Sequence, residues 1–322
     1  MDIDMALPQS RKLDFDEIPV IDISELLVDN PGASVITKID RACRDVGFFY
    51  IIGHRFDMEL ATSLCDTASE FFQQTESVKL STGLDPSMRG YLPLYYQSQI
   101  SDTFSGTSHQ EGFWMGADFG SDKQHLLEAD NRWPQQPAGL RPAMQAYRDA
   151  IERVASLLGG CFGAALDQAD DFYATHFARP TSRLKVNHYP PQENPQSVDN
   201  IGVIPHSDSG AFTILWQDTN GGLEVCSKNG EWVGAPPLDD SFVVNIGDIL
   251  QYWSNGRYSS TPHRVINRNG VDRYSIPYFV NPGADTEISA LDDNNRFTAF
   301  NYGEYQQTRW RNFFPVDEVN PV

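Results

Sequence analysis

Two histidines and an aspartate carry the most informative spacing in the sequence. His206-Ser207-Asp208 form one group, and His263 follows 55 residues after Asp208 in a Pro262-His263 pair. In an extended segment, side chains at i and i+2 leave the same face, so His206 and Asp208 can reach one point in space. An imidazole from a second strand would complete two nitrogens and one carboxylate oxygen on one face of an octahedron. That facial triad, with three positions open, is the ligand set of non-haem Fe(II) oxygenases. Taken alone the tripeptide is common, and a strand-end pair satisfied by backbone is the more frequent occurrence.

Ten residues past His263 stand Arg273-Tyr274-Ser275, again an i, i+2 pair. A guanidinium beside a hydroxyl suits a bidentate grip on a carboxylate. The neighbours Tyr274, Ile276, Pro277, Tyr278 and Phe279 read as a buried strand, and a buried arginine requires an anionic partner. Asn187 and Tyr189 form a third such pair on the run that opens this part of the chain. His188, between them, belongs to the opposite face of that run.

The elements that must position these groups are short strands. After Pro180 they follow one another to about residue 290, at 183–189, 201–205, 212–216, 223–226, 242–246, 264–266 and 274–280. Asn220-Gly221-Gly222 and Asn229-Gly230 punctuate them, and strands at this spacing predict a β-sandwich or barrel. The first 180 residues are richer in helix. Apolar residues recur at three and four over 34–46, about 58–74 and about 140–166, with strands at 18–23 and 48–52. Residues 81–120 lack sustained periodicity and read as loops. A last helix is expected near 302–313. The whole reads as one α+β domain over 1–322: a helix-rich supporting region to 180, a β core over 181–290, and a C-terminal helix and tail over 291–322.

The 322 residues include 24 basic and 44 acidic side chains, a formal net charge of −20, which argues against a nucleic-acid surface or attachment to an anionic membrane. No apolar run approaches the length of a bilayer span, and the first residues carry acids where a secretory leader carries bases. Cys43, Cys65, Cys161 and Cys226 are far apart and form no redox or zinc motif. A cytoplasmic protein acting on a small molecule, without nucleic-acid or membrane partner and monomeric by default, is the expectation.

Ile204–Asp218, Gly221–Val225, Val244–Asp248, Ser254–Val265, Arg273-Tyr-Ser275 and Asn187–Pro191 together resemble the signatures of the isopenicillin N synthase-like 2-oxoglutarate/Fe(II) oxygenases. Ile18–Asp22, Gly47–Tyr50 and Arg89-Gly-Tyr91 extend the resemblance through the N-terminal half, in order. It implies a double-stranded β-helix, or jelly roll, flanked by helices. It implies Fe(II), 2-oxoglutarate and O2 as reactants, with His206, Asp208 and His263 on iron. Arg273 and Ser275 would take the distal carboxylate of 2-oxoglutarate, with Asn187 and Tyr189 beside it.

The implied reaction is hydroxylation, desaturation or oxidative cyclisation of a small molecule, with succinate and CO2 released. An oxidase of the same fold that needs no 2-oxoglutarate is the alternative, since the Arg-x-Ser pair can grip a substrate carboxylate instead. A metal-free jelly-roll binding protein is the alternative of another class. Relatives act on amino acids, nucleobases, hormones and secondary metabolites, so the substrate is not readable. Tyr91, Tyr95, His109, Trp216 and Phe279 are candidates for its pocket, and Arg89 and Arg257 for a second cation. Arg264 is expected to pair with Asp248. Two departures stand out: Gly53-His54-Arg55 where relatives often have Gly-His-Gly, and Ser108–Met115, usually richer in charge, which is expected to shape the pocket.

Overall fold

A computed structural model describes residues 18–27, 33–95, 98–100, 105–192, 200–292 and 297–313. Period-two alternation sorts the strand residues into two layers. An eight-stranded sheet runs in the order Val20–Asp22, Phe48–Ile52, Phe242–Ile246, Phe212–Gln217, Arg273–Val280, Arg183–Tyr189, Glu111–Gly116, Gly90–Leu92. Only its first pair is parallel. A four-stranded sheet, in the order Trp232–Gly234, Leu223–Cys226, His263–Val265, Val203–His206, faces it.

On the large sheet Phe49, Ile51, Ile214, Val244 and Ile276 point outward into one core with Ile39, Leu64, Met144 and Ile151 of the helices Ala33–Asp45, Glu59–Phe72 and Leu140–Ala165. Phe48, Tyr50 and Val243 point the other way and pack on Val203, Leu223, Val225 and Val265 of the small sheet. This is a jelly roll with helices on one face. Among the described residues, no helix is long and apolar enough to cross a membrane.

The 81–120 region departs from the loop expectation. It contains the strands Gly90–Leu92 and Glu111–Gly116, which with Val20–Asp22 and Phe48–Ile52 make four of the large sheet's eight strands, and Ser98–Ile100 and Ser105–Ser108, which belong to a separate three-stranded sheet. Glu111–Gly116 is buried throughout and includes two glycines and an acid, so it shows neither alternation nor an apolar run. The expected 58–74 helix ends at Phe72, and a separate turn of helix, Glu76–Leu80, follows. The Trp232–Gly234 strand was too short to signal itself. Arg55 takes a φ of 53°, the left-handed conformation that a glycine would enter more easily.

Behind the large sheet, buried Glu111 ties three elements together. Its Oε2 accepts hydrogen bonds from Lys79 Nζ and Tyr91 Oη, both at 2.5 Å, and its Oε1 meets His188 Nδ1 at 2.8 Å. His188 Nε2 in turn meets Asp272 at 2.7 Å, and its ring stacks between Phe72 and Tyr274. Burial alone would raise the Glu111 carboxyl, but bonds from His188, Lys79 and Tyr91 outweigh it and hold its pKa below the usual value. A lowered folded pKa contributes stability above the unfolded value of about 4.3, lost as pH falls through the folded one. Glu111→Gln leaves the Lys79 ammonium buried without its counter-charge and is expected to cost about 3–5 kcal/mol in urea unfolding at pH 7. The variant's deficit should shrink as pH falls below about 4.3 and through the lowered folded value, where the wild-type carboxylate is also lost.

Candidate active site

The two histidines meet because their strands do. His263 and His206 are direct cross-strand partners on the small sheet, with ring centroids 4.3 Å apart. His206 Nδ1–H donates to the Ile204 carbonyl at 2.8 Å and His263 Nδ1–H to that of Thr261 at 3.3 Å. Each bond fixes a tautomer that leaves the Nε2 lone pair free. Burial and the neighbouring His263 push the pKa of His206 down, which keeps the imidazole neutral. Phe48 stands edge-on to His263 at 5.3 Å.

Asp208 lies just past the end of its strand and turns to the large sheet. There its Oδ2 accepts from Thr213 Oγ1 at 2.6 Å and Asn245 Nδ2 at 2.8 Å, two residues that are themselves cross-strand partners. Its backbone carbonyl accepts from the Asp248 N–H at 2.8 Å. The other oxygen, Oδ1, is left 3.7 Å from both His206 Nε2 and His263 Nε2. One ligand atom from each of the three residues lies within 4.8 Å of the others. Two imidazoles and one carboxylate, each fixed from behind, suit an ion such as Fe(II) that needs open positions.

The same cavity, about 130 Å³, also holds Arg273, Ser275, Asn187 and Tyr189. Arg273 is fully buried, and among the described residues no carboxylate pairs with it. Its Nε donates to the Gly221 carbonyl, its Nη2 reaches Gln217 at 3.4 Å, and its Nη1 has no acceptor. Gly222, at a φ of 97°, lets the backbone approach: a Cβ there would lie 2.5 Å from the Ile266 carbonyl. Tyr189 packs under the guanidinium at 4.5 Å and its hydroxyl lies 3.3 Å from Ser275 Oγ. Asn187 Nδ2 donates to the same Oγ at 3.2 Å. A buried cation beside a hydroxyl, with one N–H unmet, is a receptor for a carboxylate.

Of the pocket candidates, only Phe279 is on the cavity wall. Tyr91 points to the back of the sheet, against Phe71 and Glu111. Trp216 alternates outward with Ile214, while Thr213, Leu215 and Gln217 face inward. Tyr95 is half exposed and stacks on His109, and neither lines the cavity. Arg89 is buried behind the wall on backbone carbonyls, and Arg257 is on the far side beside Asp40. Arg264 pairs not with Asp248 but with its cross-strand partner Glu224, at 2.7 Å. Asp248 instead takes Ser260 and Tyr305.

Sequence reasoning missed the cavity residues Arg183 and Lys185, and Gln306 and Arg309 from the Tyr302–Phe313 helix. For the first two a signal existed: they precede Asn187 and Tyr189 at steps of two and so share their face. From the Ser108–Met115 segment, Gln110 and Trp114 reach the wall.

Residues 180–282 match the 2OG-Fe(II) oxygenase superfamily, and residues 18–136 the N-terminal region of non-haem dioxygenases in morphine synthesis. A homoarginine-6-hydroxylase of Glycine max is 32% identical, over 91% of this chain and 96% of its own. A 2-oxoglutarate-dependent dioxygenase of Monascus ruber is 34% identical, over 89% and 91%. The solved structure of JOX2 in complex with 2OG, Fe and JA superposes with a TM-score of 0.78 at 26% identity, over 94% of this chain and 87% of that one.

If Asn245 orients the carboxylate, Asn245→Leu should weaken Mn(II) binding about 10–100-fold in a calorimetric titration while leaving the fold intact by circular dichroism. Unchanged affinity would show that Thr213 alone suffices.

Proposed function

The chain belongs to the 2OG-Fe(II) oxygenase superfamily, and from that premise we propose how its residues divide the work of a 2-oxoglutarate- and Fe(II)-dependent dioxygenase. Its substrates are small molecules. With iron bound, O2 would be the oxidant, taking two electrons from 2-oxoglutarate, which is released as succinate and CO2, and two from the substrate, which is hydroxylated, desaturated or cyclised.

The protein's own part is binding, orientation and exclusion of water. His206, Asp208 and His263 hold the ion, and Thr213 and Asn245 hold Asp208. Arg273 and Ser275 take the distal carboxylate of 2-oxoglutarate. Tyr189 braces the guanidinium from below, and Asn187 turns the Ser275 hydroxyl so that its proton faces the carboxylate. Leu215, Leu223, Val203 and Val265 keep this end of the cavity apolar, which strengthens the ionic grip.

One observation carries the assignment: Arg273 is fully buried in the triad's cavity with an unmet N–H and, among the described residues, no carboxylate partner. A buried cation without a counter-ion is costly, so an incoming carboxylate is held strongly there.

Anaerobic addition of Fe(II) and 2-oxoglutarate should give a visible metal-to-ligand charge-transfer band. His206→Ala should lose it, and Arg273→Leu should require about 30-fold or more 2-oxoglutarate to restore it. Under O2, succinate should form only when 2-oxoglutarate is present. Full band intensity in both variants would refute the assignment, and substrate oxidation without 2-oxoglutarate would favour an oxidase.

A further inference from the structure

One cavity side chain has no task in that scheme. Lys185 is 4% exposed, on the strand face that carries Asn187 and Tyr189, and forms no hydrogen bond or ion pair with any described residue. The wall opposite its stem is Gly112, where a Cβ would lie 2.5 Å from Lys185 Cε, so that glycine makes room for the chain. The ammonium rests over the ring of its cross-strand partner Trp114, 5.0 Å from the centroid, and Trp114 stacks on Phe279 at 5.4 Å. Burial alone brings its pKa down to about 7, and no carboxylate offsets that.

Charge counting gives this position a meaning, and the count rests on the function proposed above. Fe(II), the Asp208 carboxylate, the Arg273 guanidinium and the two carboxylates of 2-oxoglutarate sum to zero. Arg183 spends both Nη groups on the carbonyls of Thr181, Ser182, Ser87 and Leu127. Arg309 has Asp248 at 3.4 Å. Arg183 lacks a carboxylate too but is tied to carbonyls, so Lys185 is the cavity cation left with neither an anion nor a hydrogen-bond acceptor among the described residues, next to a flat aromatic wall. We propose that Lys185 is a specificity-determining residue that binds a carboxylate of the substrate, whose planar apolar body lies along Trp114 and Phe279.

The test uses phenylacetate, 3-phenylpropionate and cinnamate, each beside its primary amide, titrated calorimetrically into the anaerobic Fe(II)- and 2-oxoglutarate-loaded protein. At least one acid should bind tenfold or more tightly than its amide, and Lys185→Met should abolish the difference. The variant should keep the charge-transfer band, its 2-oxoglutarate affinity and a melting temperature at or above wild type, because an unpaired buried charge has gone. The inference fails if no acid outperforms its amide, or if Lys185→Met retains the preference. It also fails if the variant loses 2-oxoglutarate affinity, which would make Lys185 a co-substrate ligand, or melts well below wild type, which would reveal an internal partner. Absence of the band from wild type would instead overturn the site assignment beneath it.

Discussion

The Asp208 carboxylate joins the two sheets at the point where the chemistry takes place. One oxygen is committed to Thr213 and Asn245 on the large sheet, and the other faces the two imidazoles of the small one. Burial would raise this carboxyl, but its pKa is lowered overall, with the hydrogen bonds from Asn245 and Thr213 favouring the charged form, so the ligand is an anion when a cation arrives. The geometry depends on register rather than on any single contact. Thr213 opposes Asn245, and His206 opposes His263, so a one-residue slip in either pairing would turn half of the site away.

Two kinds of buried charge coexist in this fold. Glu111 with Lys79 and His188, and Glu224 with Arg264, are closed sets whose charges are met within the protein. Those sets serve the framework: the first ties the Glu76–Leu80 helix to two strands, and the second staples two strands of the small sheet. Among the described residues Arg183, Arg273 and Lys185 have no such partner, and all three face the cavity, Arg183 being held by carbonyls alone. In a chain of net charge −20, leaving these cations without carboxylates is a feature of the cavity rather than a shortage of acids.

Much of the site was legible because period-two spacing survives the loss of everything else. His206-x-Asp208, Arg273-x-Ser275 and Asn187-x-Tyr189 each declare a shared face, and the structure brings all six residues and His263 to one cavity. The pocket wall was not legible for the same reason inverted. Trp216 is one residue out of phase with Thr213 and Leu215, and Tyr91 sits on a three-residue strand, Gly90–Leu92, too short to show alternation. Aromatic character alone says nothing about which face a ring takes. The partner of Arg264 required register: Glu224 lies opposite it only because 223–226 pairs with 263–265.

The Arg183–Tyr189 strand shows why stability and specificity are separable here. Its outward residues Leu184, Val186 and His188 enter the helical core and the Glu111 network, while Arg183, Lys185, Asn187 and Tyr189 face the cavity. The backbone between them is held by two antiparallel neighbours, so it does not need the inward side chains to keep its place. Changes at the inward positions can therefore alter what the cavity accepts while the outward face preserves the sheet. Lys185 is the least constrained of the four, since Arg183 is tied to carbonyls and Asn187 and Tyr189 are tied to Ser275. On physical grounds it is the position at which a fold built for one reaction can be turned toward a different substrate.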